Sequence, residues 1–293
     1  MTYVSVFTTL AIQPWFRKPP MPALHCTSLR IPRLLLTGAA GGLGRELRSR
    51  LKAYCDVLRI SDIAELGAAA PGEELRPVAL QDKAGMIDLL HGVDAVVHLG
   101  GISTEQPWEP ILQANIVGVY HLYEAARLQG VRRIVFASSN HVTGFYRQHE
   151  VIDTEAPVRP DSLYGVSKAF GENLARYYFD RFGIETVALR IGSSFPEPKD
   201  RRMLATWLSY DDLERLVVAS LTAPVVGFTV IYGMSDNRTS WWDNTKARHI
   251  GYRPQDSADT FRAAVEARQP QIDPNDPAAV FQGGVFVRTG PFE

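Results

Sequence analysis

Cysteine is nearly absent from this chain of 293 residues, which contains only Cys26 and Cys55. Two cysteines this far apart provide neither a disulfide framework nor the ligand spacing of a zinc site. We therefore expect no bound metal, and a reducing compartment, the cytoplasm, suits such a chain best.

An excess of charge of either sign is also absent, because 31 lysines and arginines are balanced by 32 aspartates and glutamates. The net charge of −1 gives no electrostatic reason to expect nucleic acid or an anionic membrane as a partner. We expect a soluble protein that acts on a small molecule.

Long apolar runs are missing as well. The apolar stretch at 3–12 is too short to span a membrane, and the basic pair Arg17-Lys18 follows it instead of preceding it. We therefore expect no signal peptide. Residues 1–30 are rich in proline and lack periodicity, which predicts a poorly ordered N-terminal extension, with Met21 as an alternative start.

Apolar segments alternate with helix-like segments from Arg33 to Ile191. Continuous apolar strands between helices indicate a parallel sheet covered on both faces. The predicted fold class is therefore α/β, a doubly wound parallel sheet that binds its ligands at the carboxyl ends of the strands. The predicted strands are 33–36, 57–60, 94–99, 133–138 and 186–191, and the predicted helices are 42–54, 110–129 and 163–182.

A glycine-rich turn, TGAAGGLG at 37–44, separates the first predicted strand from the first helix. Glycine lets the backbone turn sharply and approach a pyrophosphate, and the amides of the helix N-terminus form an anion site. The same turn occurs in α/β proteins that bind no nucleotide, so this motif alone leaves both interpretations open. The predicted cofactor contacts of the turn are Gly38, Gly41, Gly42, Leu43 and Gly44.

Asp62 follows the second predicted strand, near the distance from the glycine turn at which an acidic residue binds the adenosine ribose. A carboxylate there accepts hydrogen bonds from the ribose hydroxyls and repels a 2′-phosphate. No lysine or arginine follows it immediately, so NAD is favoured over NADP as the cofactor. An aspartate that caps a helix is the alternative interpretation.

Tyr164 and Lys168 lie four residues apart on a predicted helix and therefore project from one face. A nearby ammonium group favours the phenolate and would lower the pKa of the tyrosine, which makes a general base for removing a hydroxyl proton. Such pairs are frequent by chance. Here Ser139, at the end of the preceding strand, supplies a hydroxyl that can bind the same substrate oxygen.

The glycine turn, Asp62, the segment 98–101, Asn115, Ser139 and the Tyr164-Lys168 pair together resemble the extended short-chain dehydrogenase/reductase family. The resemblance implies a Rossmann-type fold and a catalytic triad of Ser139, Tyr164 and Lys168. It further implies that Lys168 holds the nicotinamide ribose and that Leu99, Gly100 and Asn115 belong to the cofactor site. Ala79 departs from the family pattern, which places an acidic residue near the adenine.

A narrower set of segments, at 98–103, 137–141, 190–193, 196–198, 202–204, 241–244 and 281–284, resembles the branch of this family that oxidises hexuronic acids. The implied reaction oxidises D-galacturonate or D-glucuronate at C1 of the pyranose with NAD and forms an aldaric acid lactone. The sequence leaves the choice between the two acids open. The implied substrate contacts are Ser103, Ser139, Asn140, His141, Tyr164, Ser193 and Arg202.

The residue types suit a uronate, which is a polyol with one carboxylate. Arg202 can clamp the carboxylate through a two-pronged hydrogen bond, while serine, asparagine and histidine side chains offer neutral partners for the hydroxyls. Without the resemblance, Arg202 would be interpreted as a surface arginine and His141 as a structural histidine. Direct hydride removal from C1 also needs no thiol. Cys26 lies in the N-terminal extension and Cys55 at the far end of the first predicted helix, so neither is expected near the nicotinamide.

Two alternatives remain at this stage: a sugar or nucleotide-sugar epimerase or dehydrogenase of the same fold, and a non-catalytic dinucleotide sensor. Only about a hundred residues follow Ile191, fewer than a nucleotide-sugar enzyme usually carries there, and Asn140 stands where a dehydratase needs an acid. The intact triad argues against a sensor. We predict a dinucleotide-binding domain at 31–191, a small substrate-binding cap at 192–293, and a homo-oligomer.

Overall fold

The structure is a computed structural model that describes residues 30–269, 271, 273–290 and 292. The predictions for residues 1–29, which include the N-terminal extension, Met21 and Cys26, lie outside these ranges. Within them, no helix is both long enough and apolar enough to cross a membrane.

Seven parallel strands form the central sheet, and two pairs of two-residue strands lie beside it. The strands in chain order are β1 (Ile31–Thr37), β2 (Cys55–Ser61), β3 (Glu73–Leu75), β4 (Ala95–His98), β5 (Arg133–Ser139), β6 (Ile152–Asp153), β7 (Glu185–Ile191), β8 (Ser193–Ser194), β9 (Trp207–Leu208), β10 (Phe228–Gly233) and β11 (Trp242–Asp243). The order across the large sheet is β3-β2-β1-β4-β5-β7-β10, while β6 pairs with β11 and β8 with β9. The order reverses between β1 and β4, which is where a doubly wound sheet opens a ligand crevice.

Helices cover both faces of the sheet. The helices are α1 (Gly42–Leu51), α2 (Lys83–Leu89), α3 (Trp108–Ile111), α4 (Gly118–Gln129), α5 (Leu163–Phe182), α6 (Met203–Thr206), α7 (Tyr210–Thr222), α8 (Arg262–Arg268) and α9 (Pro277–Val280). A π-helical segment, Leu112–Val117, joins α3 to α4, and a short 3-10 helix, Gly284–Arg288, lies near the end of the described chain.

The core consists of two apolar clusters, one on each face of the sheet. Leu47 of α1 and Leu216 of α7 belong to the first cluster. Met86 of α2, Leu122 of α4 and Ala175 of α5 belong to the second. Because every one of these side chains is fully buried, the sheet is covered on both sides and the predicted α/β, doubly wound class is confirmed.

The sheet does not end at Ile191, the predicted end of the dinucleotide-binding domain. Strand β10 pairs with β7, and α7 packs on the sheet beside α1, so the part of the chain after residue 191 completes the sheet as well as the cap. The sequence analysis also missed β3 and α2. The predicted division into domains stays a prediction.

Helix α5 has the bounds predicted from the sequence, and its ends explain why. The Ser162 side chain accepts a hydrogen bond from the amide of Gly165 at 3.0 Å, which satisfies a free N–H of the first turn. Gly183 ends the helix in the left-handed conformation, at a φ of 70°. These two caps determine where Tyr164 and Lys168 lie relative to the sheet.

A buried ion pair joins α5 to the sheet. Arg190 of β7 donates to both carboxylate oxygens of Glu172, at 3.0 and 2.9 Å, and Ser138 of β5 donates to the same carboxylate at 2.6 Å. Both charged side chains are almost completely buried. The carboxylate therefore links the helix that carries Tyr164 to the strand that carries Ser139.

We expect Glu172→Gln to lower the free energy of unfolding by about 3–5 kcal/mol, because it leaves the guanidinium of Arg190 buried without a counter-charge. Urea unfolding measures this change. The matched control is Asp180→Asn on the same helix, which removes the exposed pair with Arg176 and should cost less than about 1 kcal/mol. Equal losses for the two variants would contradict a special role for the buried pair.

Candidate active site

A cavity of about 1480 Å³ opens at the carboxyl ends of the central strands. It is lined by every site residue predicted from the sequence except Asn115. The glycine turn and Asp62 lie in the same cavity as Ser139, Tyr164, Lys168 and Arg202. The structure therefore brings the predicted cofactor and substrate residues into one continuous space.

The glycine turn packs against the end of β4 so closely that side chains are excluded. Gly38 has a φ of 71°, and a Cβ there would lie 2.6 Å from the carbonyl carbon of Leu99. A Cβ on Gly44 would overlap the carbonyl oxygen of Gly38. At Gly42, by contrast, the space for a Cβ is open, with no atom within 4 Å. This backbone cradle at the start of α1 fits a dinucleotide phosphate.

Asp62 follows β2 and is held against the glycine turn. Its carboxylate accepts hydrogen bonds from the backbone amides of Ala40 and Ala64, both at 3.0 Å. A carboxylate has acceptor sites beyond these two, so Asp62 retains capacity for the two hydroxyls of a ribose. Nearby, Asp82 does not line the cavity and instead caps α2, accepting from Gly85 at 3.0 Å.

Tyr164 and Lys168 are both buried next to Ser139. The Lys168 ammonium donates to the carbonyl oxygen of Ala137 at 2.8 Å and lies 5.5 Å from the centre of the Tyr164 ring. Burial raises the pKa of Tyr164 to about 12, against a lowering effect of Ser139. Burial also lowers the pKa of Lys168 to about 8.

The expected lowering of the tyrosine pKa is therefore not present in this structure. The reason is that loss of hydration, which opposes the charged form of a buried group, acts on Tyr164 more strongly than any nearby charge. The Lys168 ammonium is directed to a backbone carbonyl and not to the phenol oxygen.

Asn115 lies in the π-helical segment, outside the cavity lining. Its amide donates to Ser167 at 3.0 Å and to the carbonyl of Ile102 at 2.9 Å, and its oxygen accepts from the Ile102 amide at 2.8 Å. Asn115 thus ties the loop after β4 to α5 next to Lys168. The polar atoms of its side chain are engaged by these protein groups, and its place in the cofactor site stays a prediction.

Arg202 is held by three of its neighbours. Its Nε donates to the carbonyl of Gln282 at 2.6 Å and its Nη1 to Ser193 at 3.2 Å. With its amide oriented to satisfy both neighbours, Asn140 accepts from Nη2 at 2.8 Å and donates to the Ile191 carbonyl at 3.0 Å. A guanidinium has five N–H donors, so two have no partner among the described residues and are available to a ligand. Asn140 and Ser193 therefore position Arg202.

His141 and Phe286 line this end of the cavity, and Asp161 and Glu105 contact residues that line it. The sequence analysis missed Phe286, Asp161 and Glu105. His141 shares a 2.7 Å hydrogen bond with Asp161, and the ring of Phe286 stacks on the imidazole with the ring centres 3.7 Å apart. Glu105 accepts from the backbone amides of Leu163 and Tyr164, at 3.0 and 2.8 Å. Phe286 lies two residues after the segment 281–284, which carries part of the family resemblance. Glu105 and Asp161 had no sequence signal, because each acts through a contact distant along the chain.

A family model described as the NAD dependent epimerase/dehydratase family matches residues 34–219. The chain belongs to this family. The extended short-chain dehydrogenase/reductase assignment made from the motifs is therefore confirmed, and the match spans the glycine turn, Asp62, Ser139 and the Tyr164-Lys168 pair.

The chain is also similar to proteins named as uronate dehydrogenases. It is 60% identical to that of Pseudomonas putida over 267 residues, which cover 91% of this chain and 99% of the relative. A crystal structure of uronate dehydrogenase from Agrobacterium tumefaciens has a TM-score of 0.87 and 51% identity, covering 88% of this chain and 97% of that one. A variant of the same enzyme complexed with NAD has a TM-score of 0.88 and 51% identity, covering 89% and 99%. The narrower resemblance read from the sequence is confirmed.

Proposed function

We propose that this chain is an NAD-dependent uronate dehydrogenase that oxidises D-galacturonate or D-glucuronate at C1 of the pyranose to an aldaric acid lactone. The observation that carries the proposal is the single cavity that joins a phosphate cradle, a Ser139-Tyr164-Lys168 cluster and an arginine fork with two free donors. The similarity to named uronate dehydrogenases over nine-tenths of the chain supports the same substrate class.

The cofactor half of the cavity suits NAD. The amides of the glycine turn would hold the pyrophosphate, and Asp62 would accept hydrogen bonds from the adenosine ribose. The Lys168 ammonium would bind the nicotinamide ribose. When bound, NAD⁺ supplies the acceptor for the hydride that leaves C1.

The catalytic cluster removes the proton of the C1 hydroxyl while the hydride leaves C1. Tyr164 takes the proton of the C1 hydroxyl as general base, so that the C1–O bond becomes the lactone carbonyl. Ser139 binds the same oxygen. Burial raises the pKa of Tyr164 to about 12 even with the hydrogen bond of Ser139. Proton transfer therefore needs a further stabilisation of the phenolate, for which the buried ammonium of Lys168 lies 5.5 Å from the ring centre.

The substrate half selects an acid over a neutral sugar. The two free N–H groups of Arg202 form a fork for the carboxylate, and such charge-assisted pairs are the stronger hydrogen bonds. Ser103 and His141 line the cavity and supply partners for the ring hydroxyls. Asn140, next to Ser139, is engaged with Arg202, which disfavours the dehydratase alternative because that reaction needs an acid there.

We also propose that the chain is a cytoplasmic homo-oligomer. A sequence with only two cysteines suits a reducing compartment. Helices α4 and α5 expose large apolar side chains, among them Leu128 and Tyr177, and such surfaces commonly lie in interfaces. A solution mass equal to one chain of 32.5 kDa in light scattering would refute the oligomer.

The function is tested with purified protein and NAD. We expect NADH absorbance to rise with D-galacturonate or D-glucuronate and to rise far less with D-galactose, which lacks the carboxylate. Initial rates with the three sugars give kcat/KM for each. The proposal fails if neither acid is oxidised, and the carboxylate requirement fails if galactose is oxidised equally well.

A matched pair of glycine variants separates folding from cofactor binding. Gly44→Ala forces overlap with backbone and should lower the free energy of unfolding by at least about 1–3 kcal/mol. Gly42→Ala has space and should keep it within about 0.5 kcal/mol. Its methyl group should still weaken NAD binding in calorimetry, because it enters the cradle. Unchanged NAD affinity in Gly42→Ala would contradict the pyrophosphate position.

Tyr164→Phe removes only the phenol oxygen. We expect kcat to fall by about 10²-fold or more, because general-base catalysis contributes on that scale, while NAD binds with nearly unchanged affinity. Stopped-flow measurement of NADH formation and calorimetric titration of NAD provide the two readouts. A variant that retains the wild-type kcat would remove Tyr164 from the role of base.

Arg202→Lys replaces a planar fork by a point charge and loses the contacts with Gln282, Ser193 and Asn140. We expect KM for the uronates to rise at least roughly tenfold, which corresponds to about 1.4 kcal/mol of lost binding. The residual rate with galactose serves as the control and should change little. An equal loss of kcat/KM with the uronates and with galactose would indicate a structural role of Arg202.

A further inference from the structure

Asp161 and His141 form a buried pair at the substrate end of the cavity. Nδ1 of His141 lies 2.7 Å from Oδ2 of Asp161, and the Asp161 side chain has no exposed surface. The other carboxylate oxygen, Oδ1, accepts a hydrogen bond from the Ser162 hydroxyl at 2.8 Å. Each oxygen of the carboxylate therefore has its own protein partner.

Two glycines allow the backbone to close over this carboxylate. A Cβ on Gly144 or on Gly283 would overlap Oδ2 of Asp161, and the two glycines are themselves joined by a 2.8 Å backbone hydrogen bond. An ionised carboxylate can only accept hydrogen bonds. In the 2.7 Å hydrogen bond between Oδ2 and Nδ1 such a carboxylate is the acceptor, so the proton resides on Nδ1 of the imidazole.

The other imidazole nitrogen, Nε2, is available to a ligand. His141 lines the cavity, and within the described part of the chain Nε2 has no hydrogen-bond partner. Phe286 stacks on the ring face and Tyr164 meets it edge-on, with ring centres 5.8 Å apart, so the plane of the imidazole is fixed.

The charges around His141 leave the imidazole neutral near pH 7. Burial lowers the pKa of His141, the cation of Arg202 acts in the same direction, and the carboxylates of Asp161 and Glu105 oppose them. The net change is a lowering from the ordinary value. With one proton, on Nδ1, the ring presents a lone pair at Nε2.

We infer that Asp161 is a positioning residue that keeps the proton of His141 on Nδ1, so that Nε2 accepts a hydrogen bond from a hydroxyl of the sugar acid. This pattern complements Arg202, which only donates. The substrate must then present a carboxylate, as an acceptor, to Arg202. At a neighbouring position it must present a hydroxyl, as a donor, to Nε2 of His141. The tautomer follows from the contact of His141 with the Asp161 carboxylate, whereas the hydroxyl partner rests on the proposed function.

The tautomer is measured by ¹⁵N NMR of the labelled full chain, in which protonated and unprotonated imidazole nitrogens have well-separated shifts. The His141 signals are those that disappear in His141→Gln. We expect an unprotonated Nε2 and a protonated Nδ1 at pH 7 in the wild type. The reverse pattern, or a doubly protonated ring, would overturn the inference, and this measurement does not depend on any variant of Asp161 folding.

Asp161→Asn keeps the shape of the side chain but replaces one acceptor oxygen by an NH₂ donor. Its oxygen would retain the Ser162 contact, and its NH₂ would face Nδ1, which must then accept, so the proton moves to Nε2. Ser162→Ala is the matched control, because it removes the other contact of Asp161 and leaves the pair with His141 intact. We expect the shift exchange in Asp161→Asn and none in Ser162→Ala.

Kinetics test whether Asp161 acts through His141. We expect Asp161→Asn to raise KM for galacturonate roughly tenfold or more and to change kcat less, because an acceptor becomes a donor. In a protein that already carries His141→Gln, the same substitution should raise KM little further. An equal rise of KM in both backgrounds would mean a structural role. If the wild type oxidises no uronate but shows protonated Nδ1, only the proposed function fails.

Discussion

The buried pair of Glu172 and Arg190 is the contact on which the two ends of the site depend. It joins α5 to β5 and β7, and Arg190 continues the connection by donating to the hydroxyl of Tyr232 at 3.2 Å. The Tyr232 ring stacks on Trp242 with the ring centres 4.8 Å apart. A desolvated ion pair adds little net stability over an apolar pair, but removing one partner is costly, so it specifies one arrangement of its neighbours.

From Trp242 the connection continues to the substrate end. The indole N–H donates to the Gln282 side chain at 2.9 Å, and the carbonyl of Gln282 accepts from Arg202 at 2.6 Å. Gln282 is fully buried, and its amide also donates to two backbone carbonyls at Arg147 and Glu150. The fork of Arg202 is thus positioned by a series of contacts that begins under the catalytic helix, although the two are far apart in sequence.

The sequence predicted best those parts that local chemistry determines. The glycine turn and the bounds of α5 depend on a few adjacent residues, and the structure has the helix at the predicted bounds. Strand β10 and helix α7 were missed although their apolar patterns are regular, because the alternation was taken to stop at Ile191. Asp161 and Glu105 were out of reach for a different reason: a carboxylate becomes functional here only through a contact with a backbone amide or an imidazole from another segment. The direction of the Tyr164 pKa was also out of reach, since burial is not visible in the motif.

The charges at the start of α5 give the proposed carboxylate fork of Arg202 a second role besides substrate affinity. Glu105 accepts from the first amides of the helix, where the helix dipole favours negative charge, and Asp161 lies immediately before it. Asp161 raises the pKa of Tyr164, so the local field already opposes the phenolate. A substrate carboxylate adds a further negative charge to the same cavity and would oppose the phenolate more. In the proposed function, two donors of the Arg202 guanidinium would neutralise that carboxylate where it binds. In the proposed function, substrate recognition by Arg202 and proton removal by Tyr164 would therefore be coupled through electrostatics, without a direct contact between the two side chains.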